Sequence, residues 1–430
     1  MASPRTAAEP RWGDEAGRVG FCASVGVVLT FSQFWVMPLA GPSGNADASS
    51  LIIALYFPAY LVALGLGLVA LPRTLTAALR APLLAALICL IFISRIWSID
   101  PGVTFRRGVA VFFTTLAGLV IAARYDWPRL LEVLATAFAV IAVCCIGLAV
   151  LLPSYGRMSD LFPGAWRGVW FEKNALGDNM SVGCIVFCAA AILNPQRRRL
   201  WAAMAIVAFG LILLSTSKTS LISLTLGLSA LVFVALVKRG PVVAVITTFL
   251  AVTGAAVLGF ALYFASDAFF ALIGKDATLT GRTKVWAAVL PQIQTRPWTG
   301  FGYGAVWSDK TIWGPLAWIS KRAGFVALHA HNSWLEIWLG VGYIGLGLWA
   351  LYFIETWMRA LIAAYRRPGG YFALPFMVVF SLMTLTETVV AVYNDFIWVI
   401  FVAVAVKLAC PSAPSAIAWG EGENRAAPWP

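Results

Sequence analysis

The sequence predicts an all-α, polytopic integral membrane protein with about twelve transmembrane helices, and three observations predict it. Of 430 residues, 61% are hydrophobic and only 12% are charged, with a mean hydropathy of +0.85. Apolar runs recur from Phe21 nearly to Cys410 with only brief polar breaks, and a helix crosses a hydrocarbon core of roughly 30 Å with about 20 such residues. The cations fall mainly in alternate breaks. A soluble enzyme is excluded. The net charge of +12 does not denote nucleic acid, because the 31 basic residues never form a dense arm with interleaved aromatics.

Taken in order, Arg5, Arg11 and Arg18 precede the first apolar run, and no small-x-small site closes a short h-region, so the first span reads as uncleaved. Hydropathy places spans at 20–40, 51–71, 82–98, 108–123, 130–152, 175–193, 200–216, 219–237, 241–264, 333–356, 371–387 and 393–409. With the first tail inside, the inner breaks hold Arg73 and Arg80, Arg124 and Arg129, Arg197 to Arg199, Lys238 and Arg239, and Arg359, Arg366 and Arg367. That is the positive-inside pattern, carried by short loops. Both tails read as disordered from their Pro, Gly, Ala and charge content.

Two long outer segments, 153–174 and 266–332, also carry cations, among them Arg157, Arg167, Lys173, Lys275, Arg282, Lys284, Arg296, Lys310, Lys321 and Arg322. Topology does not require them there. They call for an anionic partner or contact lipid headgroups. Within the second segment, Val285, Trp286, Val289, Leu290 and Ile293 recur at helical spacing, which predicts an interfacial helix with Arg282 in its first turn. The 19 tryptophans are mostly an interfacial belt. The seven cysteines lie in or beside apolar spans without C-x-x-C pairs and read as small apolar residues.

The chain has two histidines, His329 and His331, where the long outer segment re-enters the membrane. Histidine is the side chain suited to accepting a proton near neutral pH. Spaced at i and i+2 they share no helical face, so a metal pair is a poor reading, and no metal or cofactor is expected. A structural role remains the alternative, more so for His329 than for His331. The glycines Gly340, Gly342, Gly345 and Gly347 read as helix-packing positions that fix the helix presenting His331.

Lys218, in the turn Ser215 to Ser220, sits between two apolar runs, where a charge at membrane depth costs about 2.5 to 3.5 kcal/mol unless it snorkels or is paired. Arg282 opens Gly-Arg-Thr-Lys-Val-Trp, and Arg106 and Arg107 precede the fourth span. A diphosphate suits such cations, Arg as a bidentate fork and Lys as a point charge. The stretch from Arg167 through Lys173 and Asn174 to Asp178 opens the sixth span, whose helix N-terminus also favours phosphate. Glu387 and Asp395 flank the last outer turn, either to orient substrate or simply solvated. No P-loop, zincin, nucleophile-elbow or dinucleotide motif is present.

At these residues the chain resembles the O-antigen ligase and Wzy-type polymerase superfamily, and most closely its ExoQ-type exopolysaccharide polymerases. The segments that carry the resemblance are 167–177, 215–220, 281–286, Arg-Pro-Trp-Thr-Gly-Phe-Gly-Tyr-Gly at 296–304, and His-Ala-His-Asn-Ser-Trp-Leu-Glu at 329–336 with its glycine-rich helix. The resemblance implies a GT-C-like architecture with a long periplasmic loop in the bacterial inner membrane. It implies an undecaprenyl-diphosphate-linked glycan donor, a glycan acceptor and metal-independent transfer. It makes His331 the general base and Arg282 a diphosphate ligand. Lys218 stands where many relatives have Arg, which keeps the charge and loses the fork. His329, Asn332, Arg167, Lys173 and Asn174 are further candidate substrate contacts.

The organisation expected is a cytoplasmic tail at 1–19, nine spans over 20–264, a periplasmic loop with interfacial helices at 265–332, three spans over 333–409, and a second tail at 410–430. The expected partners are the lipid bilayer and other polysaccharide-assembly proteins, with no nucleic acid. A polymerase of lipid-linked repeats is the first reading. A ligase moving finished glycan to lipid A core or protein is the alternative, and a secondary transporter is the second alternative, disfavoured because the polar chemistry lies on one side and no internal repeat is evident.

Overall fold

A computed structural model of the chain describes residues 15–41, 49–159, 162–264 and 282–410. The expected disordered tails, apart from residues 15–19 and 410, and the 265–281 part of the long loop lie outside the described residues. Among the described residues every regular element is helical, and one isolated bridge pairs Arg157 with Trp166.

The first apolar run forms α1 (Glu15–Phe31), then turns at 32–35, where Gln33 adopts φ 61°, and resumes as the short α2 (Val36–Ala40). The single span expected over 20–40 is therefore broken. Its polar residues are used elsewhere: the Ser32 carbonyl accepts from the Trp170 indole at 3.0 Å, and the Gln33 amide donates to the Asn394 carbonyl at 2.9 Å.

After α3 (Ser49–Val69), the break expected around Arg73 is also helical. Here α4 (Leu71–Leu79) meets α5 (Pro82–Ile93), which continues as a 3-10 turn to Trp97, at 88°. Proline in the first turn of each starts a helix without sacrificing a bonded N–H. Next come α6 (Pro101–Arg124) and α7 (Trp127–Leu151), both beginning before hydropathy placed them. The carboxylates of Asp100 and Asp126 cap them, accepting from Val103 N at 2.9 Å and Arg129 N at 3.0 Å.

The one-turn α8 (Pro153–Gly156) leads into a run of four long helices. These are α9 (Lys173–Leu193), α10 (Arg198–Ser215), α11 (Lys218–Val237) and α12 (Pro241–Phe264). The long outer segment contributes α13 (Arg282–Thr295) and α14 (Pro315–Ala323), and the chain closes with α15 (Ser333–Arg366), α16 (Gly370–Thr386) and α17 (Phe396–Ala409). Eight described helices are long and apolar enough to cross a membrane, or nine counting the bent α4–α5 pair. Shorter apolar helices at 17–31, 370–386 and 396–409 occupy the other places where spans were expected.

Burial sorts these helices. The span of α9 is 83% enclosed by protein, whereas the window of α12 is 0% buried, as for a helix facing lipid. The apolar α17 is buried on nearly every side, and α6 approaches it where Gly118 lies against the Val399 carbonyl and Val402. Helices α11 and α16 pack antiparallel: Val234 clusters with Leu374, and Gly227 sits against Val379. Continued along both helices, that pairing brings the Lys218 end of α11 level with the Glu387 end of α16.

Helix α15 has 34 residues, which at 1.5 Å per residue is about 51 Å, far more than a bilayer core requires. It is divided at Gly342, whose φ of 67° and ψ of −166° are open only to glycine. The break would strand backbone groups in an apolar setting, and the 296–304 segment meets them. Phe301 N donates to the Leu339 carbonyl at 3.0 Å, Gly302 N to the Gly340 carbonyl at 2.9 Å, and Tyr343 N to the Pro297 carbonyl at 2.8 Å. The same segment is tied to α5 and α6 through Ile99 N to Phe301 O at 3.0 Å and the Trp97 indole to Thr299 O at 2.8 Å.

Candidate functional site

Helices α13 and α14 do not lie loose on the surface. Val285, Val289, Ile293, Val306, Ile319, Ala330 and Leu339 form a second apolar core over the broken end of α15. Three of the five residues that predicted a helix at 281–295 are thus its buried face, whereas Leu290 is exposed and the Trp286 indole donates to the Ala330 carbonyl at 2.9 Å. That bond anchors the residue between the two histidines.

The histidine segment is fixed from both sides. Asn332 caps α15, its side-chain oxygen accepting from Trp334 N at 3.0 Å and Leu335 N at 3.1 Å. Glu336, in the first turn, reaches back to accept from Ala330 N at 2.6 Å and takes the Trp307 indole N–H at 2.8 Å. His331 itself adopts φ 50°, a left-handed conformation that histidine tolerates better than most residues.

Its Nδ1 lies 3.1 Å from Glu387 Oε2, and Arg282 donates to the other oxygen of the same carboxylate. The Ser333 hydroxyl donates to the Glu387 carbonyl at 2.9 Å and accepts from Val389 N at 2.9 Å, which seats the loop after α16 against the start of α15. Burial pushes the Glu387 carboxyl upward, but the His331 hydrogen bond and the Arg282 charge outweigh it and hold the group below the usual carboxylate range. A carboxylate can only accept, so Nδ1 carries a proton, and in the neutral imidazole the free lone pair is on Nε2.

The His329 ring lies tilted at 47° to that of His331 with centroids 3.9 Å apart, and its Nδ1 is buried without a hydrogen-bond partner among the described residues. Burial and the neighbouring His331 pull it down to about 4. Neutral at physiological pH, it is a wall of the site, not a charge in it.

The remaining sequence candidates assemble on the α9–α11 side. Lys173 donates to the Thr216 hydroxyl at 3.1 Å, Ser220 donates to Asp178 at 2.6 Å, and the Ser181 hydroxyl donates to the Ser220 carbonyl at 2.9 Å. The 167–178 and 215–220 segments are thus one unit, with Lys218 exposed at its rim and Asn174 half-buried. Arg167 is buried and donates to the Tyr155 and Ser154 carbonyls at 2.7 and 3.0 Å, so it holds the loop after α7. The structure therefore gathers Arg282, His329, His331 and Asn332 in one cluster and Arg167, Lys173, Asn174 and Lys218 in another, at the same end of the bundle.

Glu387 is the residue whose partnership sequence reasoning missed. Its only signal was an acidic side chain just beyond an apolar run, 56 positions from His331. Among the described residues, no three His, Cys, Asp or Glu side chains meet to hold a metal ion.

Residues 202–350 match the Wzy_C family, described as O-antigen ligase. The matched stretch contains Lys218, Arg282, the 296–304 brace and the histidine segment, and it ends before Glu387. The chain is also 27% identical over 282 residues to the exopolysaccharide production protein ExoQ of Rhizobium meliloti (strain 1021), covering 62% of each chain. It thus spans somewhat less than two thirds of that relative, and the likeness to the O-antigen ligase and Wzy superfamily is ExoQ-like in character.

Proposed function

We propose that the protein is a glycosyltransferase of the bacterial inner membrane that polymerises undecaprenyl-diphosphate-linked oligosaccharide repeats at its periplasmic face. The observation that carries this reading is the His331–Glu387–Arg282 cluster. It pairs an oriented imidazole with a cation at the mouth of a helix bundle whose matched region is that of a glycan-assembly family.

In the proposed reaction an acceptor hydroxyl attacks the anomeric carbon of the donor, and its proton passes to His331 Nε2. The bond from that carbon to the diphosphate oxygen breaks, and its electron pair leaves with the diphosphate. Arg282 and Lys218, at the same end of the bundle, stabilise the growing negative charge. Glu387 keeps Nδ1 protonated and stabilises the imidazolium that forms, as an orienting carboxylate does in other His-based sites. The leaving-group bond supplies the driving force, so no nucleotide is required outside the cell.

The test is glycan analysis in a deletion strain. A polymerase leaves single repeats on the lipid carrier and no high-molecular-weight polysaccharide. Full-length polymer stranded on the carrier would instead identify a ligase, and unaltered glycans would remove the enzyme reading altogether.

A further inference from the structure

Beside the histidine cluster lies an open cleft of about 640 Å³ between the start of α6 and the 305–311 segment, a volume within the range of small-ligand sites. We propose that this cleft binds the uncharged, hydroxyl-rich saccharide portion of the acceptor glycan, a proposal that rests on the glycosyltransferase reading above.

Its walls carry Asp100, Arg106, Trp307, Asp309 and Lys310. Two carboxylates and two cations balance in charge, so an anion such as diphosphate meets Asp100 and Asp309, and a cation meets Arg106 and Lys310. A polyhydroxyl ligand both donates and accepts and carries no charge, and its C–H faces suit an indole.

The cleft is built, not incidental. Arg107, on the next position of α6, donates to the Gly304 carbonyl and to the Ser308 hydroxyl at 2.7 Å, clamping the two walls together. Asp309 is preset by accepting from Thr311 N at 3.0 Å and the Thr311 hydroxyl at 2.6 Å. Trp307 donates its indole N–H to Glu336 at 2.8 Å, and Glu336 accepts from Ala330 N at 2.6 Å. The ring that would carry a sugar is thus two hydrogen bonds from the residue between His329 and His331.

The experiment uses the full chain in lipid nanodiscs and, as probe, the lipid-free repeat oligosaccharide released from the cell's own polymer by mild acid. Binding is followed by saturation-transfer NMR and calorimetry. Wild type should bind, and inorganic diphosphate should not displace the probe. Arg106→Ala, at an exposed position, and Thr311→Trp, which fills the cleft, should each weaken binding at least 10-fold while eluting as folded protein. Wild-type affinity in both variants, displacement by diphosphate, or no binding by wild type would overturn the proposal. A separate transfer assay on lipid-linked donor reports on the enzyme reading: no transfer by wild type with binding intact sinks that reading and leaves the saccharide site standing.

Discussion

At the scale of single residues, His331 and Glu387 make separable contributions to the proposed transfer. His331→Asn keeps a residue that tolerates the left-handed backbone, so the change removes the proton acceptor without straining the turn. Transfer in membranes supplied with lipid-linked donor should fall about 10²- to 10⁴-fold, the usual worth of a general base. Glu387→Gln preserves shape and removes the charge that fixes the imidazole tautomer, and should cost at least about 10-fold. Wild-type rates in either variant would refute its assigned role. His329 makes a prediction about stability. Held at about 4 in the folded protein against an ordinary 6.5, it is neutral where the unfolded chain takes up a proton. Its contribution is therefore complete above pH 6.5 and is lost as pH falls from 6.5 towards 4. The depressed Glu387 carboxyl acts only below its ordinary 4.5, outside the range from pH 7 to pH 5. From pH 7 to pH 5 the thermal midpoint of wild type should fall relative to that of His329→Gln. An identical change in the two proteins would show that His329 does not titrate as argued.

At the scale of elements, the break in α15 decides how the histidine segment is held. A side chain at Gly342 would strike the Trp298 carbonyl and Thr299 N, and its φ of 67° adds strain. A strained backbone position costs on the order of 1 to 3 kcal/mol even before the clash. Gly342→Ala should therefore abolish the monodisperse peak in fluorescence-detected size exclusion. Gly347→Ala, at a helical position with nothing within 4 Å of an added Cβ, should elute as wild type. Equal profiles would mean that the break is not needed for folding. The sequence made the glycine cluster visible but not its purpose, because a left-handed break satisfied by a loop 40 residues earlier leaves no periodic trace. The 296–304 motif reads as a family signature, whereas its bonds to Leu339, Gly340 and Tyr343 make it the brace of the broken helix. Hydropathy located α3, α7 and α9 to α12 within a few residues, since each is a continuous apolar run. It missed the break in the first span, where the Gln33 side chain is satisfied by distant Asn394, and the helix α4 that fills the break expected before α5. The link from His331 to Glu387 was invisible for the same reason, as pairing across 56 residues is a property of packing and not of local pattern.

At the scale of the whole molecule, the proposed transfer requires both cation clusters, the histidine segment and the saccharide cleft to open on one side of the bilayer. The antiparallel packing of α11 on α16 places Lys218 and Glu387 at one end, while Arg197, bonded to Glu132 at 3.1 Å, and Lys238, bonded to the Arg367 carbonyl at 2.8 Å, lie at the other. The second end collects the short basic loops, so the positive-inside rule makes it cytoplasmic. Lys310 and Arg198 are exposed at opposite ends and distinguish the two orientations. Single cysteines placed at these positions in a chain freed of its own cysteines should behave differently towards an impermeant thiol reagent. Cysteine at 310 should be labelled on whole cells or spheroplasts, and cysteine at 198 only after the membrane is opened. The reverse pattern would turn the site to the cytoplasm, where a lipid-linked repeat not yet exported would be the only donor within reach. In that case the proposed periplasmic polymerisation fails, although the His331–Glu387–Arg282 geometry is unchanged.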